Sequence, residues 1–568
     1  MKRREFLGCS AVAAFVSATS VTIKGKSLAS APNPELGDSS TFYVSPSGSD
    51  DNSGAANSPF KSLHRAQEAV RNVNGGDALA SMMLGVPSYA EVDNVYSLLH
   101  GGKIIGMYFQ DQWRVTDKLT INLGLRYDIT INPRQGKASN GSNITGDFDF
   151  SNGTYILQNP AAACSVSQGA PCIPGGALPP FTVIAKNGKI NNDDYSNVQP
   201  RIGFAYRLTP RTVMRGSYGK FYDNWAGVTQ NQSNNTQSWP NVAFVAAPNN
   251  LNLGLPTGFA NDPLNLGAGP IEPASSPFSP LNVNFYTNPN LKTGYSDQWN
   301  FGFQQELAPG ATVTVNYVGS RNGHIASVVT ANAAPSPGPG DPQQSAPYPY
   351  ILPMPYTESV GSSTYNALQV SSQIRLPSGI ASTLAYTFSK ALVVGCDGAF
   401  GGCGIEDPYN LQQSKGVASH NLAHIFAGSF VLPLPFGGGK RFSTGNSLVN
   451  HIIGNWQLNG IVSLTSGLPY DVTTDNTIPN TNNLYGVERA DLVGNPYSHG
   501  DKTQPLNVAS FVNPAPFTFG NLGRNSLRSD WGRNLDLSLF RSFSISESKR
   551  FEFRRSFQCH EYASNGYS

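Results

Sequence analysis

The sequence predicts an all-β chain, an antiparallel transmembrane β-barrel with long external loops and about twelve strands. Three observations carry this. A period-two alternation runs between Met107 and Ile131. The same pattern recurs as hairpins whose connections are alternately tight and long. The composition is low in charge, yet outside the leader it holds no apolar run long enough for a membrane helix.

In the first of these stretches Leu119, Ile121, Leu123, Leu125, Tyr127, Ile129 and Ile131 are apolar at every second place, and Thr120, Asn122, Gly124, Arg126, Asp128 and Thr130 lie between them. A period of two is a strand with one apolar and one polar face, not a helix. Met107, Phe109, Trp113 and Val115 keep the phase before it, interrupted by Asp111, and Tyr108, Gln110, Gln112 and Arg114 take the other side. Thr116-Asp117-Lys118 joins the two as a turn. Soluble strands run about five or six residues, whereas a tilted strand needs roughly nine to eleven to cross a bilayer. A stripe this long, backed by Arg, Asp and Asn, suits a wall between lipid and water better than a soluble sheet.

The pattern returns at Ile202–Tyr222 around Thr209-Pro210-Arg211, at Gln298–Gly319 around Ala308-Pro309-Gly310, and at Asn366–Phe388 around Pro377-Ser378-Gly379. Pro and Gly fit these turns because they would interrupt a ladder. The outward face should carry odd residues in the first and third hairpins and even residues in the second and fourth. Further strands are expected at His424–Leu432, Trp456–Ser466, Leu535–Phe543 and Phe551–Arg554. The connections 132–199, 223–296, 323–365 and 391–423 are long and rich in Asn, Gly, Pro and Ser, as external barrel loops are. Tyr108, Trp113, Tyr127, Tyr222, Trp299, Tyr317 and Trp456 are candidates for membrane-interface aromatics. Packing inside a soluble sheet is their alternative.

Charged residues are 13% of the chain, about half the soluble norm, and the net charge of +2 gives no electrostatic case for nucleic acid. The mean hydropathy of −0.26 is compatible with a barrel, because half of each strand is polar. Residues 1–31 read as a leader. Lys2-Arg3-Arg4-Glu5-Phe6-Leu7 resembles a twin-arginine export motif, followed by a small, apolar stretch and Ala29-Ser30-Ala31.

Two resemblances divide the rest. Phe42-Tyr43-Val44-Ser45-Pro46, Gly48-Ser49-Asp50 and Pro59-Phe60-Lys61-Ser62-Leu63 resemble the N-terminal cap of pectate-lyase-like right-handed parallel β-helix proteins, which defines a segment 32–73. From Gly75 the chain resembles the barrel of TonB-dependent outer-membrane receptors, in particular the Oar-like branch. The phrases that carry this are Gly106 to Tyr127, Pro200 to Tyr206, Val315 to Arg321, Tyr386 to Leu392, Gly454 to Gly460 and Phe519 to Asn525. Segment 74–554 is therefore expected to be a partial receptor barrel, and 555–568 a tail that departs from the family. The family barrel has twenty-two strands and is accompanied by a plug and an energy-coupling box, neither of which is recognisable here. The sheet is accordingly expected to stay open, with two free edges.

The resemblance implies an exported, non-enzymatic protein of the cell outer membrane, in contact with outer-membrane lipid. It binds a large or scarce solute at external loops and imports it through the TonB complex in the intact family. An extracellular β-helix carbohydrate-active enzyme, supported by 41–72 alone, and a surface adhesin on the same barrel are the alternatives. Cys164 with Cys172 and Cys396 with Cys403 lie as close pairs in two of the long loops and are expected to form disulfides. Gly437-Gly438-Gly439-Lys440 lacks phosphate-loop spacing and reads as a turn. His420 and His424 enter a strand, not a helical metal face, and the dispersed Asp, Glu and Ser form no catalytic set. No cofactor or metal site is expected.

Overall fold

In the computed structural model the chain divides into two compact units, Met1–Ser88 with Pro248–Pro263 and Tyr89–Ala247 with Leu264–Ser568. The structure describes residues 45, 47, 49, 61, 89–95, 100–135, 145–164, 172–224, 238–248, 275–278, 286–395, 405–475, 477–484, 486–497, 506–546 and 549–561. The leader, nearly all of 32–73 and the pair Cys396 and Cys403 lie outside the described residues.

The frame of the second unit is a twelve-strand antiparallel meander: β1 His100–Arg114, β2 Leu119–Gln135, β3 Asp194–Thr209, β4 Thr212–Asp223, β5 Gly294–Ala308, β6 Ala311–Ala331, β7 Met354–Arg375, β8 Ala381–Val394, β9 His424–Pro433, β10 Trp456–Thr465, β11 Gly532–Ser546 and β12 Lys549–Glu561. Each strand pairs with its neighbours in sequence. β1 and β12 end the order without pairing to each other, so the sheet is open as the sequence predicts. All four expected hairpins are present and antiparallel, and no parallel β-helix passes through them. Strands of ten to twenty-two residues exceed the soluble norm of about six.

Turn chemistry explains the tight ends. Gly310 (φ 80°) and Gly379 (φ 85°) take the left-handed conformation that costs other residues a steric penalty. Arg114 closes the first turn by an ion pair to Asp117 at 2.9 Å. The segment 437–440 is a turn as well, with the Lys440 N–H donating to the Gly437 carbonyl at 3.1 Å.

Two features lie outside the expected strands. β12 continues to Glu561, through residues assigned from the sequence to a departing tail. Register pairs Leu537 with Phe557, so the ladder simply extends past Arg554. The long loops also contain strands of their own. Gly146–Asp149, Thr154–Leu157 and Thr182–Ile184 form a small sheet, and Tyr286–Thr287 adds in parallel to β7.

β6 and β7 stay paired as far as Ala331 and Met354, and their far ends are buried while their near ends are not. There the packed core begins. Phe148, Tyr155, Leu157, Ile173, Trp239, Tyr286, Val329, Ile351, Met354, Tyr356 and Ile405 form one buried cluster among the loops.

Candidate functional site

Register fixes which side chains share a face, because residues directly opposite one another in an antiparallel ladder point the same way. One row reads Trp113, Ile121, Phe204, Gly216, Phe301, Tyr317, Leu368, Phe388, His424 across nine strands. The row beside it reads Gln112, Asn122, Gly203, Ser217, Asn300, Val318, Ala367, Ser389. The sheet thus has an apolar outward face and a small, polar inward one. On β5, Trp299, Phe301 and Phe303 take successive outward places, Gln305 follows them and Leu307 stands at the register shift beyond; Trp299 to Leu307 covers about 27 Å along the strand at about 3.4 Å per residue. With the usual tilt this approaches the apolar band of ~25 Å of an outer-membrane wall.

Glycines on the outward face lie under neighbouring rings. A Cβ at Gly319 would run into the Trp299 indole, and one at Gly460 into Phe430. Both are sheet positions where the ring takes the space a side chain would need.

The candidate interface aromatics divide between the faces. Trp113 and Trp456 stand in the outward row at the tight-turn end. Tyr127 and Tyr222 stand in it near the loop end, and the Tyr127 hydroxyl donates to the Tyr195 carbonyl at 2.8 Å. Trp299 and Tyr317 lie in it further from the loops, the Tyr317 hydroxyl donating to Asn366 Oδ1 at 2.6 Å. Tyr108 does not join them: it is opposite Arg126 on the polar face.

Two aromatic clusters on the outward face are built from residues that are not among the interface candidates. Lys220 Nζ lies 3.7 Å from the centroid of Tyr295 and 3.5 Å from Asp297, which accepts from the Tyr218 hydroxyl at 2.7 Å. His424 stacks between Phe388 (5.0 Å) and Trp531 (5.7 Å), and its Nδ1 is 2.9 Å from the Tyr386 hydroxyl. Parity could have found Tyr218, Tyr295, Tyr386 and Phe388. Trp531 sits in a loop and carries no such signal.

The polar face holds a groove of about 530 Å³ whose lining includes Gln110, Asn122, Arg201, Phe221, Gln298 and Asn300. Arg201 lies 4.5 Å over the Phe221 ring, and Asn300 Nδ2 donates to Ser217 Oγ at 2.6 Å. Towards the loops the buried Asp128 accepts from Arg126 Nε (2.9 Å), Gln199 Nε2 (2.6 Å) and Asn224 Nδ2 (2.9 Å). These contacts bind two strands, β2 and β3, and the first residue after β4 into one polar network.

The loops themselves pack around two centres. In the aromatic centre the tyrosine hydroxyls reach backbone carbonyls of other loop segments: Tyr155 to Trp239 (2.6 Å), Tyr356 to Phe148 (2.8 Å) and Tyr350 to Gly153 (2.7 Å). Asp147 accepts from the Thr287 and Phe148 N–H groups, and burial still pushes its carboxyl well above the ordinary range. Beside this centre Cys164 and Cys172 are joined by a disulfide.

The second centre is polar. Arg489 pairs with Glu406 while both are buried, and its Nε donates to the Leu522 carbonyl at 2.8 Å. Burial raises the Glu406 carboxyl, against the lowering effect of Arg489. Burial likewise raises Glu488 to about 7, although the Gly520 N–H bonds it at 2.7 Å. Among the described residues no group of His, Cys, Asp and Glu is arranged to hold a metal ion.

A lipid-facing meander with a polar inner face and loops gathered at one end is the wall of an outer-membrane β-barrel. The chain matches the family described as outer membrane beta barrel domain over residues 41–558, and it belongs to that family. It is a protein of the outer membrane. A comparison with curated proteins gave no match. Similar solved structures include the siderophore receptor PirA from Acinetobacter baumannii (10% identity, 78% of this chain and 40% of that one, TM-score 0.33). Others are the ferric enterobactin receptor PfeA from Pseudomonas aeruginosa (11%, 78% and 38%, 0.34) and the FrpB iron transporter from Neisseria meningitidis (8%, 78% and 39%, 0.32). The chain spans about 40% of the length of PirA.

Proposed function

We propose that the chain forms wall and external loops of an outer-membrane receptor of the TonB-dependent type, which binds a large or scarce solute at its loops for import. One observation supports this reading above the rest: the long connections lie at the same end of the meander and pack around cores of their own. A wall needs only short turns, so a built loop layer argues for recognition outside the membrane. Residues 1–31 act as the export signal in this reading, 32–73 as a cap-like segment that precedes the barrel, and the barrel from 74 onward takes in β12. Its partners are outer-membrane lipid, the solute and, in the intact receptor, the TonB complex.

The test is made on intact cells that display the full chain. Protease added outside should cut within 132–193 and 466–531 and leave the tight turns intact. Cutting at the turns instead, or no cutting at all, overturns the orientation on which the receptor reading depends. Ferric enterobactin serves as the first solute probe. Saturable retention that disappears after protease treatment supports binding at the loops. Retention equal to that of cells lacking the chain removes this solute.

A further inference from the structure

Most tight ends are closed by a few residues, but the connection from Pro433 to Trp456 contains a helix, Ser447–Ile453. Asn446 caps it, accepting from the N–H groups of Leu448 (2.9 Å) and Val449 (3.3 Å). Thr444 and Asn450 hold the approach to it, with the Thr444 N–H donating to Asn450 Oδ1 at 2.7 Å. The helix is therefore fixed, yet it exposes apolar side chains: Leu448 is 76% exposed, Ile452 66% and Val449 39%. Leu448 and Ile452 stand four apart and so share one side of the helix. Phe436 and Phe442, earlier in the same connection, are exposed as a pair 5.5 Å apart, with the Arg441 guanidinium 5.7 Å from the Phe442 ring.

The attachment of the helix shows where this surface belongs. Its last carbonyls are held by two side chains of the outward row. Trp456 Nε1 donates to the Ile452 carbonyl at 3.2 Å, and the Arg541 guanidinium donates to the carbonyls of His451 and Ile452. Trp456 and Arg541 are directly opposite in the ladder, 5.5 Å apart as cation and ring. The exposed apolar surface is thus continuous with the lipid-facing side of β10 and β11.

We propose that 436–453 is an interfacial anchor. Leu448, Val449 and Ile452 seat in the boundary between headgroups and acyl chains of the periplasmic leaflet, and Lys440 and Arg441 reach its phosphates. Amphipathic helices lie in that boundary with apolar side chains inserted and cations at the headgroups. The helix adds to the interfacial aromatics Trp113 and Trp456 at that end. The proposal rests on the lipid-facing assignment of the outward row.

The full chain, folded into phosphatidylethanolamine–phosphatidylglycerol vesicles, is tested with a phosphatidylcholine carrying a photoactivatable diazirine near the headgroup end of an acyl chain. Peptide mass spectrometry reads the adducts. The peptide containing 447–453 should be labelled within about twofold of the strand peptide containing Phe301 and Phe303. Leu448→Glu combined with Ile452→Glu should lower the helix label about tenfold and leave the strand label unchanged. Labelled strands with a helix labelled no more than 477–484 of the loop layer would overturn the anchor alone. So would helix labelling that falls as the protein-to-lipid ratio is raised, because a second copy of the chain would then be covering the helix. Unlabelled strands would sink the lipid-facing assignment, and the anchor with it.

Discussion

The meander and the loop layer are built from the same kinds of residue on opposite plans. In the loop layer, apolar side chains turn towards one another, and Trp239, Tyr155, Tyr286 and Phe148 are fully buried. In the meander they turn away from the protein: Phe109 is 72% exposed and Trp113 57%. The first region carries its own core. The second leaves its apolar face to the lipid, so its stability is a property of chain and bilayer together.

The largest expected effect is at the aromatic centre. Trp239→Ala should destabilise the loop layer by about 3–5 kcal/mol through the cavity it leaves. Denaturant melts should show the same loss in detergent and in lipid vesicles. Next comes the outward face, where Phe303→Arg should cost ~2–4 kcal/mol in a bilayer. Here the comparison sharpens, since the same variant in detergent micelles, where the guanidinium can reach water, should lose far less. Equal losses in both media would erase the distinction between the regions. Gly319→Val should be smaller, about 1–3 kcal/mol, because the Trp299 ring must leave its place over the backbone. Indole fluorescence would report that displacement.

The smallest effect is a pH dependence confined to the polar loop centre. Burial holds Glu488 at about 7 against an ordinary value of 4.5, and Glu406 shifts in the same direction. A raised carboxyl contributes fully below the ordinary value, and its contribution falls as pH rises through about 7. Protease sensitivity within 466–531 should therefore increase between pH 5 and 8. Glu488→Gln should flatten that rise. A meander that loosened over the same interval would contradict the assignment to the loops.

The alternation made the walls legible. A period of two located all four hairpins and their outward parity, and Pro–Gly turns marked the tight ends. Tyr108 shows where type misleads and phase does not: its parity groups it with Gln110 and Gln112, and the ladder places it there, opposite Arg126. The loop centres left no such trace. Glu406 and Arg489 are 83 residues apart, and Tyr356 bonds to a carbonyl 208 residues away. Contacts of that span have no local period to read. The short strand Thr182–Ile184 escaped for the same reason, since it pairs in parallel with Thr154–Leu157 across an intervening disulfide loop.

The continuous pairing of β6 and β7 has a mechanical consequence. Val329, Met354 and Tyr356 belong at once to the ribbon that rises from the wall and to the aromatic centre of the loops. The ribbon is a mast, and the loop segments around it are fastened to its head instead of hanging from slack tethers. A pull on Phe148 or Tyr286 is carried down a hydrogen-bonded ladder into the wall. To swing aside, these segments must either bend the mast, most easily at the register shifts between Asn322 and Ser327, or tear their aromatic fastening. Around Arg489 the attachment is of another kind: Gly416–Val417 pairs with two residues at the end of β8, and Arg524 donates to the Gly395 carbonyl just beyond it.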